Sequence, residues 1–248
     1  MVSRAVERYA SDGVLIAGGA RAILLQVADP VVAAGVAKHS DFAHRPVERL
    51  RNTLTYAYAV VLGTPDDARR VSAHVGRAHR PVARATEAEL QLWVAATLYD
   101  TASVVHDRVF GAAPNVLADE VYRAYAPLGT SLEMPAGLWP ADRRDFAGYF
   151  AERSSRLEVT ADARRIAHDL FEPVSAPLWL RAGLPLARLL TLDLLGADLR
   201  AAYGFTWTPR DVARANRAWA GIRFAARLTP HRLRSIPYRR YLKRLRSS

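Results

Sequence analysis

Residues 46–80, PVERLRNTLTYAYAVVLGTPDDARRVSAHVGRAHR, carry the clearest structural signal in the chain. In the first half, apolar side chains recur every three or four residues, the period of an α-helix, at Val47, Leu50, Leu54, Tyr58 and Val61. Gly63 ends this helix. The threonine and proline that follow supply an N-cap and a first helical residue for a second helix. That helix should end near His79, because a proline two residues later disfavours helix before it. The stretch therefore predicts two antiparallel helices joined by a tight turn.

Capping signatures and helical periodicity recur along the rest of the chain. Thr86-Glu87-Ala88-Glu89 has the pattern of a capping box for a long helix ending at Gly111, and Thr208-Pro209 begins another that should reach Leu228. Further helices are predicted over 115–126, 141–157, 161–171 and 184–203. No alternating apolar and polar run indicates a strand. We therefore expect an all-α fold, a single multi-helix globular domain of roughly 8–11 helices over residues 1–229.

The composition excludes several kinds of chemistry. The 248 residues include no cysteine, which excludes disulfides, thiolate-ligated haem, iron–sulfur clusters and a cysteine nucleophile. The apolar stretch 13–28 is interrupted by a glycine pair and by Arg21, so it is too short for a transmembrane helix. The first twelve residues lack the apolar core of a signal peptide, and a cytoplasmic protein is expected.

The net charge of +11 is concentrated at the C-terminus. Residues 207–248 hold twelve of the 35 Lys and Arg residues and one acid, Asp211, whereas the preceding 206 residues are neutral overall. We therefore expect a basic C-terminal tail over 230–248 that makes weak contact with an anionic membrane surface. A nucleic-acid interface is not expected, because the bases do not alternate with stacking aromatics. The oligomeric state is left open.

Arg49, Asn52 and Thr53 form a polar cluster on one face of the 47–62 helix, since offsets of three and four share a face. The apolar stripe partly overlaps this face, so the three groups are candidates for an inward-facing site that suits an anionic or oxygen-rich ligand. The alternative is structural: Arg49 pairs with a carboxylate and Thr53 bonds back to its own helix.

The chain has seven histidines: His39, His44, His74, His79, His106, His168 and His231. Among them, His79 stands at the end of the helix that follows the cluster. The tight turn should bring it close to Arg49, and neutral imidazole is a common ligand of haem iron. A helix-capping or surface histidine is the alternative, because histidine is favoured in last turns.

From Gly18 to Val82 the sequence resembles the rubber oxygenase (latex-clearing protein) family, which includes a fungal oxygenase of mycophenolic acid biosynthesis. The matching motifs occur in the same order and continue to about residue 110: RAILLQ, AAGVAKHS, RLRNT with VLGT, VGRAHRPV and QLWVAATL. The resemblance implies an all-helical fold that buries haem b. It makes His79 the proximal iron ligand and places Arg49 and Thr53 on the distal side. His39 is a reserve ligand.

The resemblance implies a haem b-dependent oxygenase that acts on a small, largely apolar organic substrate, with Arg49, Asn52 and Thr53 as catalytic candidates. Three positions differ from the family pattern. Asn52 replaces a lysine of the rubber-cleaving enzyme, and Asp29 and Ala95 stand where many members have histidine. These differences favour the alternative of a haem-free descendant, a biosynthetic enzyme or metabolite-binding protein that uses the same helical pocket.

Overall fold

The computed structural model describes residues 2–39, 46–82, 84–132 and 134–247, apart from the side chains of His39, Pro46 and Trp179. These ranges contain helices and no strand, which confirms the all-α prediction. The helices outnumber the expected 8–11 because several have only one or two turns. They are α1 Arg4–Ala10, α2 Gly19–Val27, α3 Pro30–His39, α4 Pro46–Leu62, α5 Pro65–His79, α6 Ala88–Phe110, α7 Asn115–Tyr125, α8 Pro127–Thr130, α9 Arg143–Ser155, α10 Ala161–Phe171, α11 Leu178–Leu194, α12 Ala197–Ala202, α13 Pro209–Leu228, α14 His231–Arg234 and α15 Ile236–Ser247, with 3-10 turns at Gly13–Gly18 and Ala136–Leu138.

Helix α6 is the centre of the fold. It is apolar on nearly all sides, as expected of a helix surrounded by others. Its residues enter three buried clusters: Tyr99 lies with α1, α4, α7 and α9, Trp93 with α2, α3 and α10, and Val105 with α11 and α13. The Trp93 ring is fully buried and its Nε1 donates to the Leu25 carbonyl, 3.2 Å away. The other elements are thus positioned around this one helix.

Helix α2, which carries the RAILLQ motif, is tied to α6 by buried polar groups. The Arg21 guanidinium lies 2.7 Å from the Asp100 carboxylate and donates to the Thr101 hydroxyl at 2.8 Å. Gln26 donates to the Thr97 hydroxyl at 3.0 Å. The polar residues of the motif therefore have structural partners, which fix the register of the two helices.

The apolar stretch 13–28 forms the first 3-10 turn and α2. In the described part of the chain, no single helix is long and apolar enough to cross a membrane. Only Arg4–Ala10 and Gly13–Val27 together meet that length and composition, across a 42° bend.

Two predicted features differ from the structure. The predicted helix 184–203 is two helices, α11 and α12, because Gly196 becomes the N-cap of α12 and Arg200 donates to the Leu192 carbonyl at 2.7 Å. The predicted capping box at 86–89 is wrong. Glu87 is the N-cap residue of α6, but its carboxylate binds the Arg84 guanidinium instead of a backbone N–H. Local pattern identified the helices but missed these competing side-chain partners.

The basic segment 230–248 forms α14 and α15 over its described residues. Leu242 of α15 is buried, and Tyr238 and Tyr241 pack against Tyr58 of α4. Arg246 donates to the Asp67 carboxylate at 2.7 Å. Helix α15 therefore lies across the α4–α5 pair as part of the same packed body.

Candidate functional site

The site is built on the hairpin of α4 and α5. Thr64 and Asp67 form a capping box: the Thr64 hydroxyl accepts from the Asp67 N–H at 3.2 Å, and the Asp67 carboxylate accepts from the Thr64 N–H at 2.9 Å. Gly63 permits the tight turn, because a Cβ atom there would lie 2.3 Å from the Ala59 carbonyl oxygen. The first turn of α4 and the last turn of α5 are thereby brought to the same end of the hairpin.

Arg49, near the start of α4, and His79, the last residue of α5, lie at that end, close enough for the charge of Arg49 to act on His79. Both side chains are half-buried. Burial lowers the pKa of His79, and the nearby positive charge of Arg49 lowers it further. Burial also lowers the pKa of the Arg49 guanidinium, which still stays cationic at neutral pH. The end of the hairpin thus favours a neutral imidazole near a half-buried positive charge.

The rest of the predicted cluster is arranged differently. Asn52 and Thr53 are exposed, so Arg49 is the one member of the trio that is partly buried. Burial on α4 is concentrated in its second half, where Tyr56, Tyr58 and Ala59 lie in the core, whereas residues 51–53 of the first half are exposed. The side chain of His39 and the whole of His44 lie outside the described residues.

The donor chemistry of this end fits a haem group. The porphyrin supplies four nitrogen ligands, so one neutral imidazole from the protein would be sufficient to hold haem iron. The lowered pKa of His79 favours the neutral form that can bind a metal, and Arg49 supplies a cation suited to a carboxylate such as a haem propionate. Within the described ranges no three His, Asp or Glu side chains group into a site for a bare metal ion.

Asp29, where many members of the resembling family have histidine, has a structural role. One carboxylate oxygen caps α3 by accepting from the N–H groups of Val31 and Val32, at 2.9 and 3.1 Å. The other accepts from Arg153, 124 residues away in sequence. The Arg153 guanidinium also lies over the Trp93 ring, 5.9 Å from its centroid. This position therefore joins α3 to α9 and α6.

Ala95, the second such position, is buried against α8. A Cβ atom built on Gly129 of α8 would lie 3.6 Å from the Cβ atom of Ala95. It would lie only 2.6 Å from the Met134 side chain, so Gly129 has no room for a larger residue. A small residue on each helix allows α6 and α8 to approach closely. Asn52, the third departure, is exposed on α4.

A second polar cleft was not predicted. It has a volume of about 350 Å³ and lies between α1, the end of α6 and α14. The His106 ring stacks on Tyr9 with centroids 3.9 Å apart, and His231 contacts the Ser11 hydroxyl at 3.3 Å. Asp12 accepts from Arg234 at 2.8 Å. Its residues come from opposite ends of the chain, so no local spacing could have identified it.

Comparison with known proteins supports one family. The family model described as "ER-bound oxygenase mpaB/B'/Rubber oxygenase, catalytic domain" matches residues 7–227 of this chain. An uncharacterised protein of Mycobacterium tuberculosis and one of Mycobacterium bovis are each 31% identical over 234 residues, which is 89% of this chain and 92% of each relative. No solved structure matches the chain.

Proposed function

We propose that this chain, which belongs to the mpaB/rubber oxygenase catalytic-domain family, is a haem b-dependent oxygenase in which His79 would hold the iron. The family is an oxygenase catalytic domain, and the dependence on haem is our proposal. The observation that carries it is the half-buried His79 near Arg49 at one end of the α4–α5 hairpin, where burial lowers the pKa of the imidazole. The histidine belongs to the family motif VGRAHRPV.

Each residue has a separate role in this proposal. The His79 imidazole offers its lone pair to the iron, and burial keeps it free of a competing proton. Arg49 holds a positive charge close by, which binds a carboxylate or orients an oxygen-rich group. When bound, haem b supplies the iron that activates dioxygen. Asn52 and Thr53, on the adjoining turn, are donors for the polar end of a ligand that reaches the surface.

A small, largely apolar substrate suits the surroundings of the two polar groups. Leu50 follows Arg49, Val75 lies one turn before His79, and Val82 comes shortly after it; all three are half-buried. A pocket with apolar walls and a few polar groups binds apolar molecules and orients them by the polar contacts. The substrate is therefore proposed by class alone.

Haem reconstitution tests the proposal. The purified full chain is mixed with haemin, desalted and examined for a Soret band, with the pyridine haemochrome to identify the haem. We expect about one haem per chain. His79→Ala should abolish the ligand-field signature of an imidazole-bound iron, and added imidazole should restore it.

His74→Ala is the matched control, because His74 is on the same helix and exposed. Its spectrum should equal that of the unaltered protein. Failure of the unaltered protein to retain haem would contradict the proposal, as would an identical spectrum for His79→Ala.

A haem-free descendant is the second candidate. The observation in its favour is that Asp29 and Ala95, at two family histidine positions, serve a helix cap and a helix contact. In that case the Arg49 end of the hairpin binds an anionic metabolite directly. The two candidates differ in one measurement, since only the first retains a stoichiometric Soret band after desalting.

A further inference from the structure

Helix α13 is held in one rotation by its buried side. Ala215, Trp219 and Ala226 face the core, and Trp219 is fully buried. The Trp219 Nε1 donates to the Asp193 carboxylate at 2.9 Å, and Arg108 binds the same carboxylate. The opposite side of α13 therefore faces solvent.

That solvent side has two chemically different halves. Arg210, Arg214 and Arg217 are exposed along its first half. Phe224 and Leu228 continue the same line at helical spacing, and they are 66% and 68% exposed. Leu233 of α14 follows at 55% exposure. We call the surface formed by the five residues of α13 the α13 face.

The charge around the α13 face is almost entirely positive. Asp211 is the one acid in residues 207–248, and its carboxylate is occupied by the capping box with Thr208. Arg227 and Arg232 are exposed on either side of Leu228 in sequence. Exposed apolar side chains bordered by arginines combine the two attractions that a lipid surface offers, burial of apolar area and contact of cations with phosphates.

We propose that the α13 face docks on an anionic membrane surface. Phe224 and Leu228 enter the boundary between headgroups and acyl chains, while the arginines of the first half bind lipid phosphates. Charge complementarity favours lipid as the occupant, because it offers both a negative layer and an apolar layer beneath it. The membrane contact expected for the segment 230–248 stays a prediction, and α13 is proposed as a further contact.

Vesicle sedimentation of the full chain tests the proposal. The vesicles contain phosphatidylcholine alone or with 30% phosphatidylglycerol, at 0.1 M and 0.5 M salt. We expect binding to the anionic vesicles only, and weaker binding at high salt. Phe224→Ser with Leu228→Ser should weaken binding at least about tenfold, because two large apolar side chains no longer enter the lipid. Replacing the three arginines of the first half by glutamine should do the same.

Matched controls separate this face from general charge and general hydrophobicity. Val116→Ser removes an apolar side chain that is 73% exposed on α7. Arg70→Gln, Arg123→Gln and Arg144→Gln together remove the same charge from other exposed positions. Both controls should bind within about twofold of the unaltered protein, because the α13 face is intact. Thermal melts establish that every variant is folded.

Four results would overturn the proposal. The protein does not sediment with anionic vesicles at 0.1 M salt, or the control arginine set weakens binding as much as the α13 set. The third such result is that the protein binds a DNA duplex through the arginines and does not bind vesicles, and that the Phe224 and Leu228 changes leave DNA binding unaltered. Alternatively, light scattering reveals a dimer that those two changes dissociate, in a protein that ignores vesicles.

Discussion

The ion pair between Asp67 and Arg246 should contribute measurably to holding α15 on the hairpin that carries His79. The Asp67 side chain is 5% exposed and also caps α5. The hydrogen bond from Arg246 first, and those from Thr64 next, outweigh burial and lower the pKa of Asp67 to about 2 from 3.8. A shift of this size corresponds to about 2.5 kcal/mol in favour of the folded, ionised state. Because the Arg246 side chain is 53% exposed, water screens the pair, and we expect about 1–2 kcal/mol.

Asp67→Asn should therefore lower the free energy of unfolding at pH 7 by about 1–2 kcal/mol, and Tm by about 2–8 °C. Circular dichroism melts measure the change. The pKa of Asp67 is lower in the folded than in the unfolded state, so its contribution is present above about pH 4 and is lost as the pH falls towards 2. The difference from the unaltered protein should fall to about half by pH 3.

Asp66→Asn is the control, because Asp66 is the neighbouring carboxylate and is 76% exposed, in a surface pair with Arg69. It should change Tm by less than about 2 °C. Equal effects of the two substitutions would refute the reasoning. A difference in the free energy of unfolding between Asp67→Asn and the unaltered protein that grows at acidic pH would refute it as well.

Two further predictions concern the turn and the core. Gly63→Ala should destabilise the protein by about 1–3 kcal/mol, because the added Cβ meets a carbonyl oxygen. Gly76→Ala, where the added Cβ has nothing within 4 Å, should be neutral or stabilise the protein by up to about 1 kcal/mol. Paired thermal melts compare the two variants, and equal effects would contradict the argument from the turn. Arg21→Met should cost about 2–4 kcal/mol at pH 8 by leaving the Asp100 carboxylate buried without its cation. Burial raises the pKa of Asp100, so protonation relieves the penalty and the loss measured in urea should shrink towards pH 5; a loss independent of pH would contradict this.

Most of the site's framework could be predicted locally. The α4 and α5 boundaries, the Thr64 cap and the approach of Arg49 to His79 all depend on interactions within a few residues and on one short turn. The orientation of Asn52 and Thr53 could not be predicted this way. Their exposure depends on which side of α4 is covered by other helices, and those helices come from distant parts of the chain.

The amino-acid sequence by itself determined the helices, the absence of thiol chemistry, the family and the concentration of positive charge near the C-terminus. Helical period and capping act over three or four residues, which makes them readable in one dimension. Tertiary structure alone decided that Asp29 pairs with Arg153 and that α15 packs on the hairpin. It also decided that the solvent side of α13 bears both arginines and apolar side chains. Burial and long-range pairing depend on residues more than a hundred positions apart, so they exist only once the helices have packed around α6.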